Sequence, residues 1–140
     1  MESKGLYHIG IAVKSLSESL ALWRDTLGLQ LVETEELPDR GLRVAMLSAG
    51  GTEVELLEST RDDSVIAKYI AKRGPGIHHL AFEVADIDAS LAELKSRGVR
   101  LVDEVARAGA SHTRVAFLHP AACNGVLVEL VEKPKPAQPA

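Results

Sequence analysis

Two glutamates of this chain stand where a carboxylate is expensive to bury. Glu55 and Glu129 each lie inside an apolar strand-like run, TEVELL at 52–57 and VLVELV at 126–131. A carboxylate in the middle of such a run costs several kcal/mol if it is buried without a partner. A metal ion would remove that cost, so both glutamates are candidate metal ligands.

Two histidines supply a matching pair of candidates. His8 and His79 are each the second residue of a strand-like run, YHIGIAV at 7–13 and HHLAFEV at 78–84. Alternate residues of a strand share one face, so His8 lies beside Gly10, which leaves room around the imidazole. Two neutral imidazoles and two carboxylates neutralise a divalent cation and leave one or two positions open for substrate and water.

Other residues with reactive side chains fit this pattern less well. Strand alternation turns His78 away from the face of His79, which favours a structural role. His112 and His119 lie near predicted loops and are expected to be loop or substrate-side residues. Cys123 stands beside a turn with no base that would make it a nucleophile. The metal hypothesis therefore depends on the paired histidines and glutamates and not on any one of them.

The elements that position these residues occur twice. Each histidine strand is followed by a helix, and each helix by three further strand-like runs, so the chain is two β-α-β-β-β units in tandem. The dipeptide Asn124-Gly125 is a strong tight-turn signal before the last run. The predicted strands after the helices are 29–35, 42–48 and 52–58 in the first unit, and 99–105, 113–118 and 126–131 in the second.

Helix ends are marked in both repeats. Ser15 has capping-box spacing to Glu18, and Asp86 can cap the second helix. Each helix is expected to end at a glycine, Gly28 or Gly98, because a left-handed C-cap is least strained without a Cβ. The apolar residues at helical spacing are Leu16, Leu20, Trp23 and Leu27 in the first helix and Ile87, Leu91 and Leu94 in the second.

A short helix is predicted to connect the repeats. It begins at Asp62 or Ser64, carries its apolar residues up to Ile70, and ends at the Gly-Pro-Gly sequence 74–76. The proline-rich tail cannot bury surface and is expected to be disordered. We predict one domain over residues 1–132, with repeat one at 5–59, the connector at 60–76, repeat two at 77–132 and the tail at 133–140.

Composition restricts the class of protein without defining its chemistry. The chain has 140 residues, 46% hydrophobic, with a single cysteine and a net charge of −4. The charge gives no electrostatic case for binding nucleic acid, and no apolar run approaches the roughly 20 residues of a membrane span. The start of the chain lacks the features of a signal peptide, so a cytoplasmic location is expected.

Several strings resemble the vicinal oxygen chelate (glyoxalase) superfamily, and within it the methylmalonyl-CoA epimerase family. Together with the weaker stretches between them they cover nearly the whole chain except the tail. The strings are YHIGIAV at 7–13, TEVELLE at 52–58, DSVIAKYIAKRGPGIHHLAFEV at 63–84 and AFLHPAACNGVLVELVE at 116–132. The resemblance implies an α+β fold in which the two tandem repeats form a curved eight-stranded sheet around a metal site.

The resemblance also implies the site and the reaction. The family's metal ligands fall on His8, Glu55, His79 and Glu129, and the ion is divalent, with Co²⁺ expected and Mn²⁺, Ni²⁺ or Zn²⁺ as alternatives. The reaction interconverts the (R) and (S) forms of methylmalonyl-CoA by metal-assisted proton abstraction at C2. Glu129 matches a position proposed to act as base as well as ligand. The substrate is thus an acyl-CoA, and the family implies a homodimer.

Two departures from the family pattern leave details open. Some members carry a second acid at the position of Val44, so a two-base mechanism through that acid is excluded here. Glu55 or a water then takes the second role, or Glu129 serves both faces of the substrate. In addition, residues 110–113 read Ala-Ser-His-Thr where relatives more often have a GAHG-like loop, which leaves the exact acyl group open.

Two other functions are compatible with the same fold. One is a glyoxalase I-like metal-dependent lyase acting on a glutathione hemithioacetal, which uses the same kinds of ligand and base. The other is a non-catalytic small-molecule binding protein, whose relatives characteristically lack a complete ligand set. The family-specific strings favour the epimerase.

Overall fold

The computed structural model describes residues 1–136, and its eight strands form one sheet. Their hydrogen-bonded order is β2-β3-β4-β1-β5-β8-β7-β6. The predicted α+β fold class with two β-α-β-β-β repeats is confirmed. The strands are β1 (Ser3–Val13), β2 (Gln30–Leu37), β3 (Leu42–Ser48), β4 (Glu53–Ser59), β5 (Gly76–Val84), β6 (Arg107–Ala108), β7 (Arg114–Leu118) and β8 (Val128–Glu132).

Contacts divide the chain into two compact units, the first of which is Tyr7–Leu80. In this unit β1 pairs with β4 in parallel, and β2, β3 and β4 are antiparallel neighbours. Its helices are α1 (Leu16–Leu20), which continues as a π-helix (Ala21–Thr26), and α2 (Val65–Arg73). Its buried apolar cluster consists of Val13, Leu16, Ala45, Leu47, Val54 and Leu56.

The second unit combines Met1–Leu6 with Ala81–Ala140. Here β7 pairs antiparallel with β8 and with the short β6, and the helix α3 (Ile87–Ser96) follows β5. Its apolar cluster consists of Val84, Ile87, Leu91, Leu94, Ala116, Leu118 and Leu130. Each unit has an apolar core of its own, and the single domain over residues 1–132 stays a prediction.

The three α-helices begin at polar caps. Ser15, Ser64 and Asp86 each accept a hydrogen bond from the backbone N–H three residues further on, at 3.2, 3.0 and 3.0 Å. Such bonds satisfy a backbone donor that the helix itself leaves open. The predicted glycine ends are also confirmed, because Gly28 and Gly98 have φ angles of 80° and 75°. Of the two caps considered for the connector helix, Ser64 is the one used.

The strand predicted over residues 99–105 is wrong. Only an isolated bridge from Leu101 to Leu118 forms there, and the sixth strand lies at Arg107–Ala108. Asp103 explains the difference, because its Oδ2 accepts the backbone N–H of Phe117 at 2.9 Å in place of a carbonyl. The Phe117 carbonyl in turn accepts two backbone N–H groups, those of Val102 and Asp103. A regular ladder cannot continue through that arrangement.

The first helix departs from the expected periodicity at its C-terminal end. Residues 21–26 form a π-helix, and the N–H of Leu27 donates to the carbonyl of Leu22, five residues back. The wider turn rotates the residues after it, so Leu27 is 54% exposed instead of packing with Leu20 and Trp23. Leu27 therefore keeps the helical spacing of the apolar residues in the sequence but does not share their buried face.

Two further predictions concern the whole chain. Over residues 1–136, we find no helix that combines the length and the apolar character needed to cross a membrane. The predicted disordered tail, 133–140, extends beyond the described residues at positions 137–140.

Candidate metal centre

His8 and Glu55 come from neighbouring parallel strands of the unit Tyr7–Leu80. The register places Gly10 of β1 beside Glu55 of β4, and His8 is two residues before Gly10 on the same face. Both side chains are almost completely removed from solvent, with His8 4% and Glu55 5% exposed. The apolar alternation of both strands thus brings an imidazole and a carboxylate into one buried location.

His79 reaches the same location from β5, and Gly10 is the reason that it fits. A Cβ placed on Gly10 would lie 2.5 Å from Nδ1 and 2.6 Å from Nε2 of the His79 ring, far inside van der Waals contact. The space that we expected beside His8 is therefore filled by the second imidazole. His79 is 3% exposed, so this is a close-packed buried cluster.

The three side chains converge through one atom each. Nε2 of His8 lies 2.9 Å from Nε2 of His79, and Oε1 of Glu55 lies 3.3 and 3.4 Å from these two nitrogens. Donor atoms that are each about 2.1 Å from a common metal ion and meet at angles of roughly 90–110° are separated by these distances. Two imidazoles and a carboxylate suit a divalent transition metal. The residues present fit a metal ion.

Glu129 belongs to the second compact unit, which contains β7 and β8. It is the second residue of β8, lies opposite Phe117 of β7 and is 4% exposed. A carboxylate this deep in an apolar strand has the surroundings that the sequence predicted.

His78 lies closer to the candidate ligands than the sequence indicated. Its Nδ1 is 2.9 Å from Nδ1 of His79, although the two residues are consecutive in β5. Strand alternation points the two Cβ atoms to opposite faces, but it does not prevent the two imidazole rings from turning toward one another. The doublet His78-His79 was the available signal, and parity alone was insufficient to interpret it.

The remaining candidates have other surroundings. His119 caps a short helix, its Nδ1 accepting the N–H of Ala121 at 3.0 Å. His112 is exposed, has a φ of 61° and is the last residue of a short 3-10 helix before β7. Burial raises the pKa of the Cys123 thiol, which makes it a poorer nucleophile. Val44 is fully buried in β3, and its aliphatic side chain provides no acid.

The chain is similar to known proteins over most of its length. Residues 7–117 match the family model of the glyoxalase/bleomycin resistance protein/dioxygenase superfamily. Ethylmalonyl-CoA/methylmalonyl-CoA epimerase of Cereibacter sphaeroides is 39% identical, over 89% of this chain and 95% of its own. Methylmalonyl-CoA epimerase from Mycobacterium tuberculosis superposes with a TM-score of 0.90 at 44% identity, covering 95% of this chain and 90% of its own.

A second similar structure contains a bound acyl-CoA. It is a methylmalonyl-CoA epimerase in complex with methylmalonyl-CoA and NH4+, with a TM-score of 0.90 and 39% identity. The match covers 99% of this chain and 100% of that one. The fold and nearly the full length are thus shared with proteins that are named as epimerases.

Proposed function

Since the chain belongs to the glyoxalase/bleomycin resistance protein/dioxygenase superfamily, we propose that it is an isomerase, a methylmalonyl-CoA epimerase that interconverts the (R) and (S) thioesters. The observation that carries this proposal is the buried convergence of His8, His79 and Glu55 in a chain similar throughout to epimerases. The substrate is then an acyl-CoA with an ionisable hydrogen between two carbonyl groups.

We propose that His8, Glu55, His79 and Glu129 hold one divalent metal ion, with Co²⁺ the expected one. The first three are supported by their mutual distances, and Glu129 by its burial and by its equivalent place in the last strand of the second repeat. When bound, the ion supplies Lewis-acid stabilisation of the negative charge that develops on the thioester oxygen. His79 and His8 must present unprotonated Nε2 atoms to it, which places their protons on Nδ1.

The proton transfer is assigned to carboxylates of this chain. The hydrogen at C2 is only weakly acidic, so its removal requires a base positioned beside it. Glu129 is the proposed base, taking the proton from one face of C2 while the electron pair moves toward the thioester oxygen. Glu55 or a water returns a proton to the opposite face, or Glu129 serves both faces, because the valine at position 44 offers no acid.

The proposal is tested by hydrogen exchange. Protein loaded with Co²⁺ is incubated with one epimer of methylmalonyl-CoA in deuterium oxide, beside Glu129→Gln, Glu55→Gln and a chelated sample. Deuterium should enter C2 with loss of optical activity in the wild type and should be abolished in Glu129→Gln and after chelation. Glu104→Gln, which changes an exposed glutamate of the second repeat, is the matched control.

Either of two results would reject the epimerase. One is the absence of exchange in folded, metal-loaded protein, and the other is turnover of a glutathione hemithioacetal without exchange at C2. The relative from Cereibacter sphaeroides is also named for ethylmalonyl-CoA, so ethylmalonyl-CoA is the second substrate to assay.

The homodimer is a separate proposal that rests on family resemblance, and it is checked by measuring the molar mass of the protein in solution by light scattering. The cytoplasmic location stays a proposal, to be checked by cell fractionation.

A further inference from the structure

We infer that His78 is a positioning residue, which orients the proposed metal ligand His79 and couples it to the connector helix α2. The inference rests on the metal site proposed above and concerns how that site is held. All of the residues involved lie in the unit Tyr7–Leu80.

The contact between the two consecutive histidines is specific in its atoms. His79 directs Nε2 toward His8 and Glu55, and its other ring nitrogen, Nδ1, lies 2.9 Å from Nδ1 of His78. A histidine that binds a metal through Nε2 carries its proton on Nδ1 and donates it to an acceptor. The geometry assigns that acceptor to the Nδ1 lone pair of His78, which then carries its own proton on Nε2.

His78 is in turn held by α2. The ring of Tyr69 meets the His78 ring edge-on, with centroids 5.0 Å apart and planes at 82°. The hydroxyl of Tyr69 donates to the carbonyl of Ile77 at 2.6 Å, which fixes the phenol against the residue just before His78. The guanidinium of Arg73 lies 5.9 Å from the centre of the same phenol ring. A run of contacts thus leads from the last turn of α2 to the ligand.

The two repeats differ at this point. The position equivalent to His78 in the first repeat is Tyr7, which precedes His8 with ring centroids 5.4 Å apart and tilted planes. A phenol ring has no imidazole nitrogen with which to accept an Nδ1 proton at that place. The tandem repeats therefore present two candidate imidazoles, of which His79 alone has an imidazole as its preceding neighbour. A purely packing role for position 78 would not need a nitrogen there.

The test measures metal affinity in the absence of substrate. Co²⁺ binding is determined by competition with a coloured chelator for wild type, His78→Leu and His78→Asn. Loss of an outer hydrogen-bond partner of a ligating histidine weakens metal affinity by about 10–100-fold, and we expect this for His78→Leu. His78→Asn, whose side-chain oxygen can occupy the place of Nδ1, should recover most of the loss. Ile77→Val, an exposed neighbour on the same strand, is the control.

A second readout reports the hydrogen bond itself. In the Zn²⁺-loaded protein, which is diamagnetic, the Nδ1 proton of His79 should give a slowly exchanging downfield signal that persists in His78→Asn and disappears in His78→Leu. Thermal melting of each variant shows that it is folded. If wild type binds no metal, the proposed site fails. If wild type binds metal and His78→Leu binds it equally well, or if the asparagine and leucine variants behave alike, the role of His78 is refuted.

Discussion

Replacement of Gly10 by alanine is the most direct test of how the buried cluster is assembled. The added methyl would lie 2.5 Å from Nδ1 of His79 and closer still to Cε1 of the same ring, whereas ordinary contact begins near 3.4 Å, so the ring must move by about 1 Å. Metal–ligand distances tolerate only about 0.2 Å, and a misplacement near 1 Å costs roughly 100-fold in rate. Alanine itself introduces no backbone strain, because Gly10 is not among the glycines with positive φ.

We therefore expect Gly10→Ala to bind Co²⁺ at least tenfold more weakly and to lose about 100-fold in exchange at C2. Overpacking should also destabilise the fold by about 1–3 kcal/mol, measured by urea unfolding without metal. Gly51→Ala is the matched control, since a Cβ at Gly51 meets nothing within 4 Å. A Gly10→Ala protein with wild-type metal affinity and wild-type stability would show that the cluster is not packed as described.

Three further predictions concern stability. Leu27→Ala should change the free energy of unfolding by less than about 0.5 kcal/mol, because the side chain is 54% exposed. Leu91→Ala, where the side chain is 4% exposed, should lower that free energy by about 2–5 kcal/mol. Equal effects of the two substitutions in urea unfolding would contradict the rotation of Leu27 by the π-helix. Glu58→Gln should cost about 1–2 kcal/mol, because the carboxylate accepts the backbone N–H that opens α1 at 2.9 Å, and a melting temperature equal to that of wild type would argue against it. The hydrogen bond from Arg114 lowers the pKa of Asp88 in the folded state, so the pair's contribution is present above pH of about 4 and is lost as the pH falls through the folded pKa. The stability difference between wild type and Asp88→Asn should accordingly shrink between pH 7 and pH 3, and a difference that grows toward acid would reverse the assigned sign.

Much of the arrangement can be predicted from the sequence, because it depends on the alternation of side chains along the strands and on the tandem repeat. His8 and Glu55 could be placed on buried faces from the apolar residues around them, and the glycine two residues after His8 indicated free space beside the imidazole. The sequence did not predict that the ring of His79 fills this space, because that depends on which distant segments pair as strands. The contact of His78 was missed for a related reason, since parity describes Cβ directions and not the reach of a ring.

Errors in the predicted elements have equally local causes. The run 99–105 has strand-like composition, but Asp103 substitutes its carboxylate for a backbone acceptor, and propensity alone does not register that competition. The apolar residues of the first helix keep a 3.6-residue spacing up to Leu27, and a single wide turn removes the last one from the buried face. In both cases local hydrogen bonding overrides a sequence pattern that holds for the neighbouring residues.

The last strand of each repeat also carries a glutamate three residues after the buried one, and the role of this later glutamate is visible only in the structure. Glu58 follows Glu55 by three residues, and Glu132 follows Glu129 by three, so each pair points to opposite faces of its strand. On the helix side, Glu58 accepts the N–H of Leu16 at 2.9 Å, and Glu132 accepts that of Ile87 at 3.1 Å. A carboxylate at a helix N-terminus is stabilised by the exposed N–H groups there.

The same spacing explains why these strands tolerate so much charge. One glutamate of each pair is satisfied by the helix that packs on its face, and the other is left for the buried side, where a cation is the proposed partner. Because a shift of one residue would exchange the two faces, the spacing of three fixes the register of each last strand against its own helix. The helix contact of Glu58 therefore bears on the site as well as on the fold, since it holds Glu55 at the position where His8 and His79 meet it.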